Sequence, residues 1–271
     1  MSAISGGPAN VHTFRVMKAE RRKIVFLTAY DWMLARYLAA SGVDGILVGD
    51  SVGQVFAGHS TTIPVTLDEM IYHSRAARRG APETFLAVDM PFLSFQVSPE
   101  ETLRNAGRIL KETGAEAVKL EGGRRIAETV RRLVESGIPV MGHLGLTPQS
   151  VHAFGGYGLR AAEDREAGEL VEDARALSDA GAFAIVLEKI PRALASRVTV
   201  NVAAPTIGIG AGAGTDGQIL VTYDLLGLTP DFRPRFVRRY AELDRAVGDA
   251  LARFVEDVRA GGFPGDAESW P

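Results

Sequence analysis

Eight short apolar runs, separated by longer amphipathic stretches, constrain this chain more than any other feature. The runs are Ile24–Thr28, Gly45–Gly49, Phe85–Met90, Ala117–Leu120, Pro139–Gly142, Ala184–Leu187, Thr206–Ile209 and a weaker Ile219–Leu225. They are rich in Val, Ile and Leu and too short for ordinary helices. Parallel strands covered on both faces read this way. The stretches between them carry helix signals. Asp31 precedes Trp32–Ser41 as a candidate N-cap, and Thr66 precedes Leu67–Arg79 with Glu69 in capping-box spacing. Ser98 and then Pro99 open Pro99–Thr113, and Gly114 stops it. Arg124–Ser136 and Glu163–Ala180 end at Gly137 and Gly181.

Eight such units in 271 residues predict a (β/α)8 barrel, which typically takes about 250 residues. An open doubly wound sheet is the rival arrangement. No Ser/Pro linker, low-complexity tract or longer repeat divides the chain. The expectation is therefore one barrel domain over residues 1–271, with an N-terminal extension over about 1–22 and a long final helix over about 235–261. Two connections, Ser51–Val65 and Leu144–Ala162, are long and polar, and both begin at a strand end. Long loops in compact domains are usually functional.

Composition narrows the function. Thirty Lys and Arg against 33 Asp and Glu leave a formal charge of −3, without the basic excess that nucleic-acid binding needs. With no cysteine in the chain, disulfides, thiolate metal sites and thiol nucleophiles are excluded. No apolar run approaches the ~20 residues that span a bilayer, and Met1–Arg15 has no apolar signal core. The cytoplasm is the expected location.

The residues that end the runs point to chemistry. Asp50, Asp89, Glu121 and Glu188 lie at or just beyond strand ends, His143 directly follows the fifth run, and Lys119 lies two residues before Glu121. Strand alternation pairs Asp50 with Val48, Asp89 with Ala87, Glu121 with Lys119 and Glu188 with Val186. On that reading all four acids face the carboxyl-terminal mouth, where barrel enzymes keep their active sites. A lone acid at a strand end usually caps a helix. Four converging ones repel each other unless a cation compensates them. Carboxylate ligands without cysteine favour a hard ion, and Mg2+ fits best.

Other signals are weaker. The glycine run Gly208–Gly214 superficially fits a dinucleotide fingerprint, but no long helix follows it. It reads instead as glycines that allow close passage. His143 suits either a loop brace or a ligand contact, whereas His59, His73 and His152 read as non-catalytic. Ser51 lacks the surroundings of a nucleophile.

Several strings together resemble the ketopantoate hydroxymethyltransferase family. They are Thr28-Ala29-Tyr30-Asp31, Val48-Gly49-Asp50-Ser51, Lys119-Leu120-Glu121-Gly122-Gly123, Gly142-His143-Leu144-Gly145-Leu146-Thr147-Pro148-Gln149, Phe154-Gly155-Gly156-Tyr157 and Ile207-Gly208-Ile209-Gly210-Ala211-Gly212, followed by Thr215-Asp216-Gly217-Gln218. The likeness runs from about Lys23 to about Pro264, with the strings in family order. It implies a barrel of the phosphoenolpyruvate/pyruvate type. The implied enzyme transfers a one-carbon unit from 5,10-methylenetetrahydrofolate to 3-methyl-2-oxobutanoate, giving 2-dehydropantoate on the route to pantothenate and coenzyme A. The resemblance further implies Mg2+ on Asp50, Asp89 and Glu121, the oxo-acid on Asp50, Ser51, Asp89 and Lys119, Glu188 as general base, and a homodecamer. His143 joins the substrate-binding candidates. Two features depart from the family pattern: the charged Lys189 after the base, and a tail, Ala267-Glu268-Ser269-Trp270, without the family's histidine. An isocitrate lyase-like enzyme on a related barrel is a rival reading, and the missing cysteine counts against it. An inactive scaffold is another, and the retained acids with an inward lysine count against that.

Overall fold

The computed structural model describes residues 8–271. Eight parallel strands close into a barrel in sequence order: β1 (Ile24–Thr28), β2 (Gly45–Val48), β3 (Phe85–Asp89), β4 (Ala117–Glu121), β5 (Val140–Gly145), β6 (Ala184–Glu188), β7 (Thr206–Ile209) and β8 (Gly217–Leu220). β8 pairs with β1, so the sheet has no free edge. The open doubly wound alternative is thereby excluded.

The helix signals operate as read. Asp31 accepts a hydrogen bond from the Leu34 amide at 2.8 Å. Thr66 and Glu69 form a reciprocal capping box, and Ser98 caps the helix Pro99–Thr113. Gly114 takes φ 72° beyond that helix, a left-handed turn that favours glycine. The sequence reading missed the helix Arg192–Asn201 between β6 and β7. Its Val- and Thr-rich stretch carries little helix propensity, and burial of Leu194, Ala195 and Val198 supplies the missing drive.

Residues 1–7 of the expected N-terminal extension lie outside the described residues, and the rest of it contains a helix. Val11–Ala19 is a helix capped by Asn10, and its Phe14 and Met17 are buried in the barrel's lower core. Phe14 packs edge-on against Phe85 at 4.9 Å between ring centroids and also meets Phe26 and Phe183. Gly45 admits this cluster, since a Cβ there would lie 2.3 Å from the Phe26 ring.

By its contacts the chain divides into two compact units, 1–221 and 222–271, and the whole barrel belongs to the first. In the second, the final helix starts at Leu243 rather than near 235 and ends at Ala260. The residues before it are held in turns instead. The Arg239 guanidinium donates to the Thr229 and Pro230 carbonyls, and the Tyr240 amide donates to Leu225 O. The eighth run likewise ends early, with β8 stopping at Leu220 and Thr222–Leu225 forming a short helix.

Candidate active site

The barrel interior is layered by chemistry. Phe85, Ala87, Ala117, Met141, Ala184 and Val186 fill its lower and middle levels. Continuing upward at two-residue intervals, the same strand faces present Asp89, Lys119, Glu121, His143 and Glu188. Register then decides who meets whom. Asp89 lies opposite Lys119, and Glu121 opposite His143. Lys119 Nζ is 2.9 Å from Asp89 Oδ1 and 3.1 Å from His143 Nδ1. His143 Nδ1 is 3.4 Å from Glu121 Oε1, and its Nε2 is 3.2 Å from Glu188 Oε2.

Asp50 reaches this group by a different route from the one expected. Leu47, not Val48, lines the barrel. Strict alternation would therefore turn Asp50 outward. The strand ends at Val48, however, and the following turn carries Asp50 back over the mouth. There its amide donates to Asp89 Oδ2 at 3.0 Å. Ser51 sits beside the cluster, its Oγ 2.8 Å from the Tyr30 hydroxyl. A Cβ on Gly49 would meet both Ser51 Oγ and Asp89 Oδ2. The fifth strand is longer than expected and ends at Gly145, which places His143 inside the sheet rather than at the start of a loop.

One participant escaped the sequence reading. Gln149, buried in the loop after β5, donates its side-chain amide to Asp50 Oδ2 at 2.8 Å and to the Met90 carbonyl at 2.9 Å. Its main-chain amide donates to Glu121 Oε2 at 3.0 Å. Its advance signals are its place just after the fifth strand and at the end of the family-like string Gly142–Gln149, and neither gave it a role. An uncharged amide does not announce itself among acids.

Burial sets the electrostatics. The Asp50 carboxyl is pushed well above the usual aspartate range, first by desolvation and then by Asp89 and Glu121. Desolvation opposes the Lys119 ammonium, but Asp89, Glu121 and Asp50 outweigh it and hold the group protonated beyond the usual lysine range. Desolvation and Lys119 oppose protonation of His143, yet Glu121 and Glu188 outweigh them and raise its pKa. In the neutral ring, the Lys119 ammonium can only donate to Nδ1, which leaves the ring proton on Nε2, facing Glu188.

Among the described residues, no group of three or more His, Asp or Glu side chains stands arranged to hold a metal ion. The acids are turned toward protein donors instead: Asp89 to Lys119, and Asp50 and Glu121 to Gln149. The donor chemistry nonetheless suits a hard cation. Asp50, Asp89 and Glu121 offer buried carboxylate oxygens, and their only cationic neighbour within ion-pair distance among the described residues, apart from His143, is Lys119 on Asp89 Oδ1.

The glycine run carries no nucleotide site of the Rossmann kind, because the strand β8 follows it rather than a helix. Gly214 and Gly212 are instead pressed against Ser196 and Arg192. His73 Nδ1 bonds the Tyr30 carbonyl at 2.7 Å, a bracing contact.

A parallel eight-stranded barrel with ionisable residues gathered at its carboxyl-terminal mouth defines a barrel enzyme. Solved structures share the fold. Phosphoenolpyruvate phosphomutase from Streptomyces platensis subsp. rosaceus superposes with a TM-score of 0.65 at 12% identity, covering 97% of this chain and 92% of that one. 2,3-Dimethylmalate lyase, a member of the PEP mutase/isocitrate lyase superfamily, gives 0.58 at 20% identity, covering 96% and 92%. Sequence carries the assignment further. The family model described as ketopantoate hydroxymethyltransferase matches residues 8–266. The 3-methyl-2-oxobutanoate hydroxymethyltransferase of Prosthecochloris aestuarii (strain DSM 271 / SK 413) is 58% identical over 258 residues, 94% of this chain and 93% of its own. That of Chlorobaculum tepidum is 57% identical with the same coverage. That of Salinibacter ruber is 54% identical, covering 95% and 97%. The chain belongs to the ketopantoate hydroxymethyltransferase family.

Proposed function

We propose that this protein transfers a hydroxymethyl group from 5,10-methylenetetrahydrofolate to 3-methyl-2-oxobutanoate, with water supplying the hydroxyl oxygen. The product is 2-dehydropantoate, for pantothenate and coenzyme A synthesis in the cytoplasm. One observation carries the mechanistic part of this reading. Glu188 ends the buried network through His143 and is its most open carboxylate, with 16% of its side chain exposed against 4–5% for Glu121 and Asp89. A base must reach its substrate, and Glu188 is the acid so placed.

Asp50, Asp89 and Glu121 are the residues that would hold Mg2+. Bound there, the ion supplies a Lewis acid for the keto oxygen of the oxo-acid. Lys119 and Ser51 receive the substrate carboxylate and orient C3 toward Glu188. Glu188 removes the C3 proton, a step for which a general base typically contributes about 10²–10⁴-fold. His143 directs its Nε2 toward Glu188 Oε2, so it fixes that carboxylate and steadies its charge. Water opens the methylene bridge of the folate, breaking both C–N bonds to leave tetrahydrofolate and a formaldehyde unit; the resulting carbon nucleophile attacks the carbon of that unit, and its oxygen takes up a proton to become the product hydroxyl. Gln54 donates to the Tyr157 hydroxyl at 3.2 Å, linking the loops 51–65 and 144–162, which suits them to cover the reacting groups and exclude water.

The family likeness also supports a homodecamer, and the exposed Val247, Leu251, Phe254 and Val258 offer apolar surface for assembly. Sedimentation of the full chain tests that point. No helix among the described residues is long and apolar enough to cross a membrane.

The deciding experiment follows exchange of the C3 proton of 3-methyl-2-oxobutanoate into deuterated water by NMR, with Mg2+ and with or without folate. Glu188→Gln is expected to abolish exchange while leaving metal-dependent binding of the oxo-acid largely intact. Asp89→Ala is expected to weaken both. Wild-type exchange by Glu188→Gln would show that the base is another group.

A further inference from the structure

We propose that Gln149 is a positioning residue for this reaction, acting through Asp50 and Glu121 and held in place by Gln96. The inference rests on the functional reading above and extends it to a residue without assigned chemistry. Gln149 is buried, and each of its side-chain polar atoms is engaged. Nε2 donates to Asp50 Oδ2 and to the Met90 carbonyl, and a carbonyl can only accept. Oε1 accepts from Gln96 Nε2 at 3.1 Å. Gln96 is itself oriented, because its Oε1 faces the Phe95 amide at 3.4 Å. The direction of both amides is therefore set by their partners.

The consequence is mechanical. One side chain ties Asp50, two residues beyond β2, to Met90, the residue after β3, and the main-chain amide of the same residue fixes an oxygen of Glu121 on β4. These are the three strands that carry the proposed metal ligands. A carboxylate held by a hydrogen bond cannot rotate freely, so Gln149 decides which oxygens of Asp50 and Glu121 remain for a ligand. Partners of this kind typically account for about 10–100-fold in metal affinity.

Three variants separate this role from mere packing. Gln149→Ala removes the side-chain donors and leaves the main-chain bond to Glu121. Gln149→Glu keeps the size and places a second carboxylate against Asp50. Gln96→Glu changes an exposed residue. With an acceptor at position 96, the Gln149 amide is expected to reverse and turn its oxygen on Asp50. MgCl2 is titrated by calorimetry, C3 exchange is followed over a range of MgCl2, and thermal unfolding checks the fold. The expected result is Mg2+ affinity lower by about 10–100-fold in both position-149 variants, a smaller fall in Gln96→Glu, and an exchange rate at saturating MgCl2 that falls far less than the affinity. Folded Gln149→Glu and Gln96→Glu with wild-type Mg2+ affinity would overturn the positioning role and leave the functional reading intact. Wild-type protein that neither binds Mg2+ nor exchanges the proton would overturn that reading, and the positioning role with it.

Discussion

Lys119→Met isolates the charge balance of the site. Met matches the length of the lysine stem and keeps its apolar packing, so the change removes little besides the ammonium. Among the described residues that ammonium is the one lysine or arginine charge in ion-pair contact with Asp89, at 2.9 Å, and both side chains are about 95% buried, with 6% and 5% exposed. Breaking a buried pair by removing one partner costs about 3–5 kcal/mol, because the other charge stays buried and uncompensated. At about 2–4 °C per kcal/mol for a domain of this size, the melting temperature in a chelator should fall by about 6–20 °C. Added MgCl2 should then stabilise the variant more than the wild type. Without the competing ammonium its Kd is lower, and a hundredfold excess over Kd contributes about 2.7 kcal/mol. Thermal unfolding by circular dichroism, with EDTA and with a series of MgCl2 concentrations, reads both effects. A variant that melts within about 2 °C of wild type in EDTA would refute the claim that Lys119 neutralises the acids, as would a smaller response to MgCl2.

Asp50→Asn is expected to trade function for stability. Asp50 in the folded protein keeps its proton to higher pH than in the unfolded chain, where aspartate ionises near about 3.9. Between those two values the native state binds more protons, so stability falls as pH rises, by up to about 1.4 kcal/mol per pH unit for one group. Asparagine has no such slope. The variant's stability advantage in chelator should therefore open above about pH 4 and close below it, while Mg2+ binding is lost. Unfolding free energies from acid to neutral pH that run parallel for the two proteins would contradict this. At the other end of the barrel, Phe14→Ala should cost about 3–5 kcal/mol, the usual penalty for emptying a buried Phe site. Chemical denaturation measures it, and a loss under about 1 kcal/mol would mean that the helix Val11–Ala19 does not plug the core.

The fold was legible because its signal is repetitive. Each of β1, β3, β4 and β6 begins where the apolar run begins and ends within a residue of the run's end. The helices at Asp31, Thr66 and Ser98 start at their caps because capping is a local contact between near neighbours. The helix Val11–Ala19 was illegible for the opposite reason. Its buried Phe14 packs against Phe26, Phe85 and Phe183, the last of them far along the chain. The site divides the same way. Asp89, Lys119, Glu121 and Glu188 follow from strand alternation on their own strands. Asp50 was named on a facing argument that fails at Leu47, and it enters the site through a turn. Gln149 lies in the loop after β5, and its importance appears only when the ends of three strands converge on it.

The two ends of the barrel do opposite work, and the upper one depends on the lower. At the bottom, four phenylalanines and their neighbours are packed out of water, a region that supplies stability and no chemistry. At the top, four acids share one lysine, one histidine and one glutamine amide, most of them out of water. Taking charged groups out of water costs several kcal/mol per ion, which pairing repays only in part. A layer like that survives because the residues beneath it are small or apolar and hold the strands in register whatever the mouth contains. Ala87 and Asp89 on one strand, and Ala117 and Lys119 on the next, put that contrast two residues apart. A substitution that relieves the top should therefore stabilise the fold and silence the enzyme, whereas one that empties the bottom should lower stability before it changes the chemistry.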